Sequence, residues 1–170
     1  MADEMICCFT GHRHIEDKMF ICMQDVLRTL IKELSVRGVK TFRAGGAIGF
    51  DNYAALNVLL LKTWVEGVKL DLILPCRDQD AKWRDEDKQL YRRLIKEADT
   101  YTYVQEEYTK DCFHKRNRML VDGADFCIAY YDGSPSGTGY TVNYAKKRGV
   151  YVINIYPMVL EERIRRYGEM

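Results

Sequence analysis

The segment TFRAGGAIGFDNYAAL, residues 41–56, passes from β-branched and aromatic residues through three glycines into an apolar run, so it predicts a strand, a tight turn and a helix in direct succession. The rest of the chain repeats that alternation. MICCFT (Met5 to Thr10) reads as a first strand, and Met23, Val26, Leu27, Leu30, Ile31 and Leu34 then recur at three and four, marking a helix that Gly38 stops. Val39 to Ala44 is the second strand. A helix follows from Asp51 to about Glu66, apolar enough along AALNVLLLKTWV that a second surface is expected to cover the side turned away from the sheet. Leu70 to Leu74, Thr100 to Val104, Ala124 to Tyr131 and Val150 to Ile155 are further strands. Helical patterns fall between them at Leu90 to Ala98, Phe113 to Val121 and Thr138 to Lys147, and a charged helix runs from Val159 to Tyr167. Strands apolar on both faces, alternating with helices, predict an α/β fold: a three-layer sandwich with a mostly parallel sheet and helices on both faces.

Length and charge narrow the function classes. With 170 residues, 47% of them hydrophobic, the chain is sized for one core. Residues 1–157 are read as a single domain, and 158–170 as a short charged helix or tail whose EERIRR stretch is solvated or forms an oligomer contact. Twenty-six Lys and Arg against 25 Asp and Glu leave a formal net charge of +1, too little for a general electrostatic grip on nucleic acid or an anionic membrane. No apolar run approaches the roughly 20 residues of a membrane span. The six cysteines sit in apolar runs without the spacing of a disulfide framework and with no leader ahead of them, so a cytoplasmic setting is expected.

In a parallel sheet of this kind ligands bind where strands end and helices begin, and that edge is where the sequence becomes unusual. The first strand runs into Thr10, Gly11, His12 and Arg13, the second into Gly45 and Gly46, the third into Pro75, Cys76 and Arg77, and the fifth into Asp132, Gly133, Ser134, Ser136, Gly137 and Thr138. Helix starts carry unpaired N–H groups and a positive dipole end, so glycine-lined corners there admit an anion. Gly45, Gly46 and Gly49 fit a phosphate cradle and equally fit a close strand-to-helix corner. Their spacing is neither G-x-G-x-x-G nor that of a P-loop. The second glycine corner, Gly137-Thr138, raises the prospect that both grip one phosphorylated ligand.

Five ordered motifs carry a resemblance: C-F-T-G-H-R (Cys8 to Arg13), G-G-A-x-G-x-D (Gly45 to Asp51), L-P-C-x-x-Q-D (Leu74 to Asp80), Lys115-Arg116-Asn117-Arg118-Met119 and Y-D-G-x-x-x-G-T-x-Y-T-V (Tyr131 to Val142). Together they resemble the YpsA-like branch of the SLOG superfamily, which also holds the Smf/DprA proteins and the LOG hydrolases. The resemblance spans all but the tail helix. It implies a Rossmann-like domain that binds a nucleotide or ADP-ribose-like small molecule, often as a homo-oligomer. Three functions follow as expectations: binding or sensing such a molecule, hydrolysing its N-glycosidic or phosphoester bond, or, less in keeping with the charge, holding single-stranded DNA. In the LOG motif P-G-G-x-G-T-x-x-E a glutamate implicated in catalysis stands where this chain has Thr141, and a hydroxyl cannot stabilise positive charge as a carboxylate does.

Asp51 is the candidate carboxylate, read either as a catalytic or ribose-binding group or as a helix-start residue complementing the dipole. His12, Arg13 and Arg116 are the candidates to neutralise phosphate. Asn117 is placed to read a base or sugar, and Trp83 is the candidate to stack on a base, with Tyr130, Tyr131, Tyr140 and Tyr144 as alternatives or as core material. The predicted ligand set is therefore Thr10, Gly11, His12, Arg13, Gly45, Gly46, Gly49, Asp51, Trp83, Arg116, Asn117, Asp132, Gly133, Gly137, Thr138 and Thr141. His12 and His14 lack a second ligand pair at zinc spacing, so no metal is expected, and no cofactor. Cys76 has no histidine partner in sequence and is read as a packing residue.

Overall fold

The computed structural model describes residues 3–169. Its strands are β1 (Met5–Gly11), β2 (Val39–Ala44), β3 (Lys69–Leu74), β4 (Thr100–Tyr103), β5 (Phe126–Tyr130) and β6 (Tyr151–Asn154). Its helices are α1 (Asp17–Val36), α2 (Phe50–Lys62), α3 (Asp85–Glu97), α4 (Cys112–Val121), α5 (Gly137–Lys147) and α6 (Tyr156–Tyr167). The strands form one six-stranded sheet in the order β4-β3-β2-β1-β5-β6, and every pairing is parallel. The fold is the Rossmann-like α/β three-layer sandwich.

Handedness turns that order into layers. The chain steps outward from β1 to β4 in one direction, then returns to β5 and steps to β6 in the other. Right-handed crossovers therefore put α1, α2 and α3 on one face, and α4 and α5 on the other. Alternation along β1 shows the division: Cys7 and Phe9 enter the larger core with Phe42, Leu70, Leu72 and Phe50. Cys8, between them, enters the smaller core with Ile73, Leu120, Val121, Cys127 and Ala145. The Phe9 and Phe42 rings stack with centroids 6.0 Å apart, and each such buried ring contributes roughly 1.5–3 kcal/mol over its exposed state. All six cysteines are buried and free.

Several boundaries move for identifiable reasons. α1 begins at Asp17, ahead of the periodic run, and buries Met19 and Cys22 as well. α2 ends at Lys62, where the Thr63 hydroxyl donates to the Leu60 carbonyl at 2.7 Å. The covering surface expected over it stops short of its last turn: Leu60 is 47% and Trp64 82% exposed. β5 is shorter than its apolar run because the Asn154 side-chain amide takes over both backbone groups of Tyr131, accepting from its N–H at 3.1 Å and donating to its carbonyl at 2.8 Å. The charged C-terminal helix is not simply solvated. Ile155 and Val159 are fully buried, and Arg166 pairs with Asp25 of α1 at 2.7 Å, so α6 joins the layer of α1, α2 and α3. Among the described residues no helix is long and apolar enough to cross a membrane.

Candidate functional site

Because the chain leaves β1 in one direction and β5 in the other, a crevice opens between the C-terminal ends of these adjacent strands. A cavity of about 250 Å³ occupies it. Three regions build its wall: the end of β1 and the loop after it supply Thr10, Gly11, His12 and Arg13, the start of α5 supplies Ser136, Gly137 and Thr138, and α4 supplies Phe113, Arg116 and Asn117. Ala47 and Asp51 reach in from the corner after β2. Nine residues of the predicted ligand set thus share one wall.

Arg116 crosses from α4 to the glycine corner and is 4% exposed. Its Nη1 donates to the Gly45 carbonyl and its Nε to the Asn117 side-chain oxygen at 2.8 Å. Burial pulls its pKa below the ordinary arginine value, a pull that the Asp51 carboxylate opposes. Asp51, 5% exposed, is pushed up to about 6 by burial. Arg116 works against that push, followed by the amide of Ala47, the charge of Arg13 and the amide of Gly45. A carboxyl whose pKa burial raises in this way costs the folded state stability at neutral pH. Arg13 and Arg116 also lie 5.6 and 5.7 Å from the centroid of the Phe113 ring, so one aromatic ring contacts both cations.

The glycine corner after β2 is packed shut rather than opened to a ligand. The amides of Ala47 and Gly45 are turned toward the Asp51 carboxylate, so the anion this corner accommodates is the protein's own. A Cβ on Gly45 would lie 2.8 Å from both Arg116 Nη1 and Asp51 Oδ2, which is why only hydrogen fits there. Gly46 abuts Leu74 and Tyr91. Gly49, with φ of 89°, lies against the Arg13 carbonyl, 2.1 Å from where a Cβ would sit. The first amide of α2, that of Phe50, is taken by the His12 carbonyl at 3.2 Å. These three glycines, predicted as ligand contacts, are therefore behind the wall and shape it.

The corner before α5 has the opposite character. Ser136 caps the helix, its hydroxyl accepting from the Gly139 N–H at 3.1 Å. The amides of Gly137 and Thr138 have no acceptor among the described residues, so the positive end of α5 faces the cavity with free donors. Next to it His12 Nε2 lies 3.0 Å from the Asp132 backbone N, from which it accepts, and 2.9 Å from Asp132 Oδ1. The Ser134 hydroxyl and amide hold the Asp132 carboxylate below its ordinary pKa, with His12 contributing less.

Four more predicted residues lie off this wall. Trp83 packs edge-on against Tyr91, ring centroids 5.2 Å apart, because the loop after β3 folds back onto the core. Thr141 is fully buried, and its hydroxyl donates to the Gly137 carbonyl at 3.0 Å within α5. Asp132 lines an adjoining cavity of about 300 Å³. Gly133 lines neither, and a Cβ there would meet nothing within 4 Å. Conversely, Phe113, Ala47 and Ser136 were missing from the predicted set. Phe113 was legible as an aromatic one turn ahead of the basic run, and Ser136 as the hydroxyl N-cap of a glycine-started helix.

Comparison with known proteins agrees with the fold. The chain is 33% identical over 138 residues to the SPbeta prophage-derived protein YoqJ of Bacillus subtilis (strain 168), covering 74% of this chain and 81% of that protein. It is 24% identical over 131 residues to a UPF0398 protein of Bacillus thuringiensis (strain Al Hakam), covering 75% and 71%. Its fold is similar to DNA processing protein A (DprA) from Streptococcus pneumoniae, with a TM-score of 0.62 at 19% identity over 87% of this chain and 49% of that one. DprA from Helicobacter pylori, whose structure shows a single-stranded DNA binding mode, gives 0.62 at 18% identity over 94% and 73%. A family model matches residues 7–157, from the middle of β1 to the start of α6, so the chain belongs to the YspA SLOG family.

Proposed function

We propose that this protein binds a nucleotide-type small molecule, ADP-ribose-like compounds included, through its phosphate in the cavity between β1 and β5. The observation that carries this reading is the pairing of opposites on one wall. Arg13, Arg116 and the free amides of Gly137 and Thr138 offer cations and donors to an anion, while Asp51 offers an acceptor suited to a sugar hydroxyl. A thermal-shift panel of nucleoside phosphates, ADP-ribose, NAD and cyclic nucleotides tests it. A ligand at a hundred times its Kd adds about 2.7 kcal/mol, or roughly 5–11 °C for a chain of this size. Arg13→Ala, at an exposed position, is expected to weaken the best ligand by about tenfold or more, the worth of a charge-assisted hydrogen bond. A panel without any shift, or an Arg13→Ala variant that binds undiminished, rules the reading out.

One observation favours a second reading, hydrolysis of the same ligand: a buried carboxyl at about 6 is poised to exchange a proton near neutral pH. Release of free base or ribose phosphate, abolished by Asp51→Asn with binding retained, decides for it. The Helicobacter pylori DprA binds single-stranded DNA, but a net charge of +1 gives this chain no overall attraction to a polyanion. A labelled oligonucleotide that competes with the best nucleotide, and loses hold with modest salt, would favour that function here.

A further inference from the structure

Resting on the nucleotide reading, we infer that the ligand spans two neighbouring cavities across the loop after β1, its phosphate beside Arg13, Arg116 and the start of α5, and its nucleoside in the second cavity against Tyr156. Size is the first reason. The cavity of about 250 Å³ falls below the roughly 300–1,000 Å³ of sites that enclose a whole drug-sized ligand. A phosphate and a pentose match its enclosed part, and a base would extend past it. The adjoining cavity adds about 300 Å³ and shares His12 and Arg13 with the first, so the two are separated only by the loop after β1.

Charge sets the orientation. The first cavity presents the cations and helix-start amides. The second presents the carboxylates of Glu16 and Asp132 and the rings of Tyr130 and Tyr156, whose centroids lie 5.1 Å apart at an interplanar angle of 64°. An anion there meets the carboxylates of Asp132 and of Glu16, the latter paired with Lys18 at 3.1 Å, with Arg13 as the one arginine, whereas the first cavity sets two arginines against Asp51. A nucleoside meets acceptors for its hydroxyl and amino groups, and aromatic surface for its base. Asp132 Oδ1 is already taken by the Ser134 amide at 2.9 Å and hydroxyl at 2.6 Å, which steadies the carboxylate while its other oxygen remains available. Arg13, on both walls, sits where phosphate joins sugar.

Isothermal titration with ribose 5-phosphate and the four 5′-mononucleotides tests the inference. The best nucleotide is expected to bind about tenfold or more tighter than ribose 5-phosphate, as base stacking on an aromatic ring provides. Tyr156→Ala removes that advantage and leaves the ribose 5-phosphate affinity unchanged. Because Tyr156 touches buried Tyr130, Asp132→Asn is the companion variant: it lies on an exposed loop, keeps an acceptor for Ser134, and reduces the nucleotide advantage about threefold or more. Ribose 5-phosphate binding as tightly as every nucleotide, or variants that change neither ligand or both alike, overturns the two-cavity inference and leaves the phosphate reading intact. Failure of all five probes to bind overturns the two-cavity inference, and the phosphate reading falls with it only if the wider panel of ADP-ribose, NAD and cyclic nucleotides also gives no shift.

Discussion

Asp51→Asn separates a carboxylate kept for chemistry from one kept for the fold. Burial holds this carboxyl at about 6 in the folded protein against an ordinary 3.8. The folded state thus binds the proton more tightly than the unfolded chain does, so this group's contribution to stability falls as pH rises from 3.8 toward 6 and its full cost is present above 6. A gap of about two pH units is worth about 3 kcal/mol. Asparagine carries no charge at any pH and removes that cost. It also gives up one of the acceptors facing the Ala47 and Gly45 amides, a loss of roughly 1 kcal/mol. The net expectation is a variant about 2 kcal/mol more stable than wild type at pH 8, hence a Tm roughly 4–8 °C higher. At pH 4.5 the gain vanishes, because wild-type Asp51 is then largely protonated in the folded state. Scanning calorimetry of both proteins across that range, taken as a difference so that other titrations cancel, is the measurement. A variant that melts lower at pH 8, or a Tm difference that does not change with pH, refutes the account of Asp51 as a buried, strained carboxylate. A variant that gains stability and loses function would show the trade-off expected of an active-site group.

Two further predictions concern the corners that shape the cavity. Gly49→Ala forces a side chain into a φ of 89° and against the Arg13 carbonyl, and is expected to cost about 2 kcal/mol or more, read as a lower midpoint in urea with an unchanged slope. Ser136→Ala removes the N-cap of α5. It is expected to cost about 1 kcal/mol, roughly 2–4 °C in Tm, and to weaken phosphate binding further by loosening the amides of Gly137 and Thr138.

Much of the architecture was legible from local pattern, because burial on both faces of a parallel strand leaves an unbroken apolar run and a helix on such a sheet must repeat at three and four. Cys7-Cys8-Phe9 and Leu72-Ile73-Leu74 follow the first rule, and Leu27, Ile31 and Leu34 follow the second. Boundaries were less legible where a single distant side chain sets them: Asn154 closes β5 by bonding Tyr131, 23 residues away. The start of α1 escaped because Asp17 and Lys18 lie outside the apolar repeat. Trp83 was misplaced because sequence shows an aromatic in a polar loop, not the direction in which the loop folds back onto Tyr91.

The amino-acid sequence alone determined that parallel strands would end together on one edge with glycines, hydroxyls and arginines, since those residue types are local properties of each strand-to-helix corner. Which corner opens on the cavity was decided only by tertiary structure. Gly45, Gly46 and Gly49 look as permissive as Gly137 in the sequence. Asp51 fills their corner from within, and Arg116, 71 residues from Gly45, closes it, whereas the amides of Gly137 and Thr138 have no acceptor among the described residues. A charge's partner and its exposure to water depend on groups far apart along the chain, and these come together only in the folded protein.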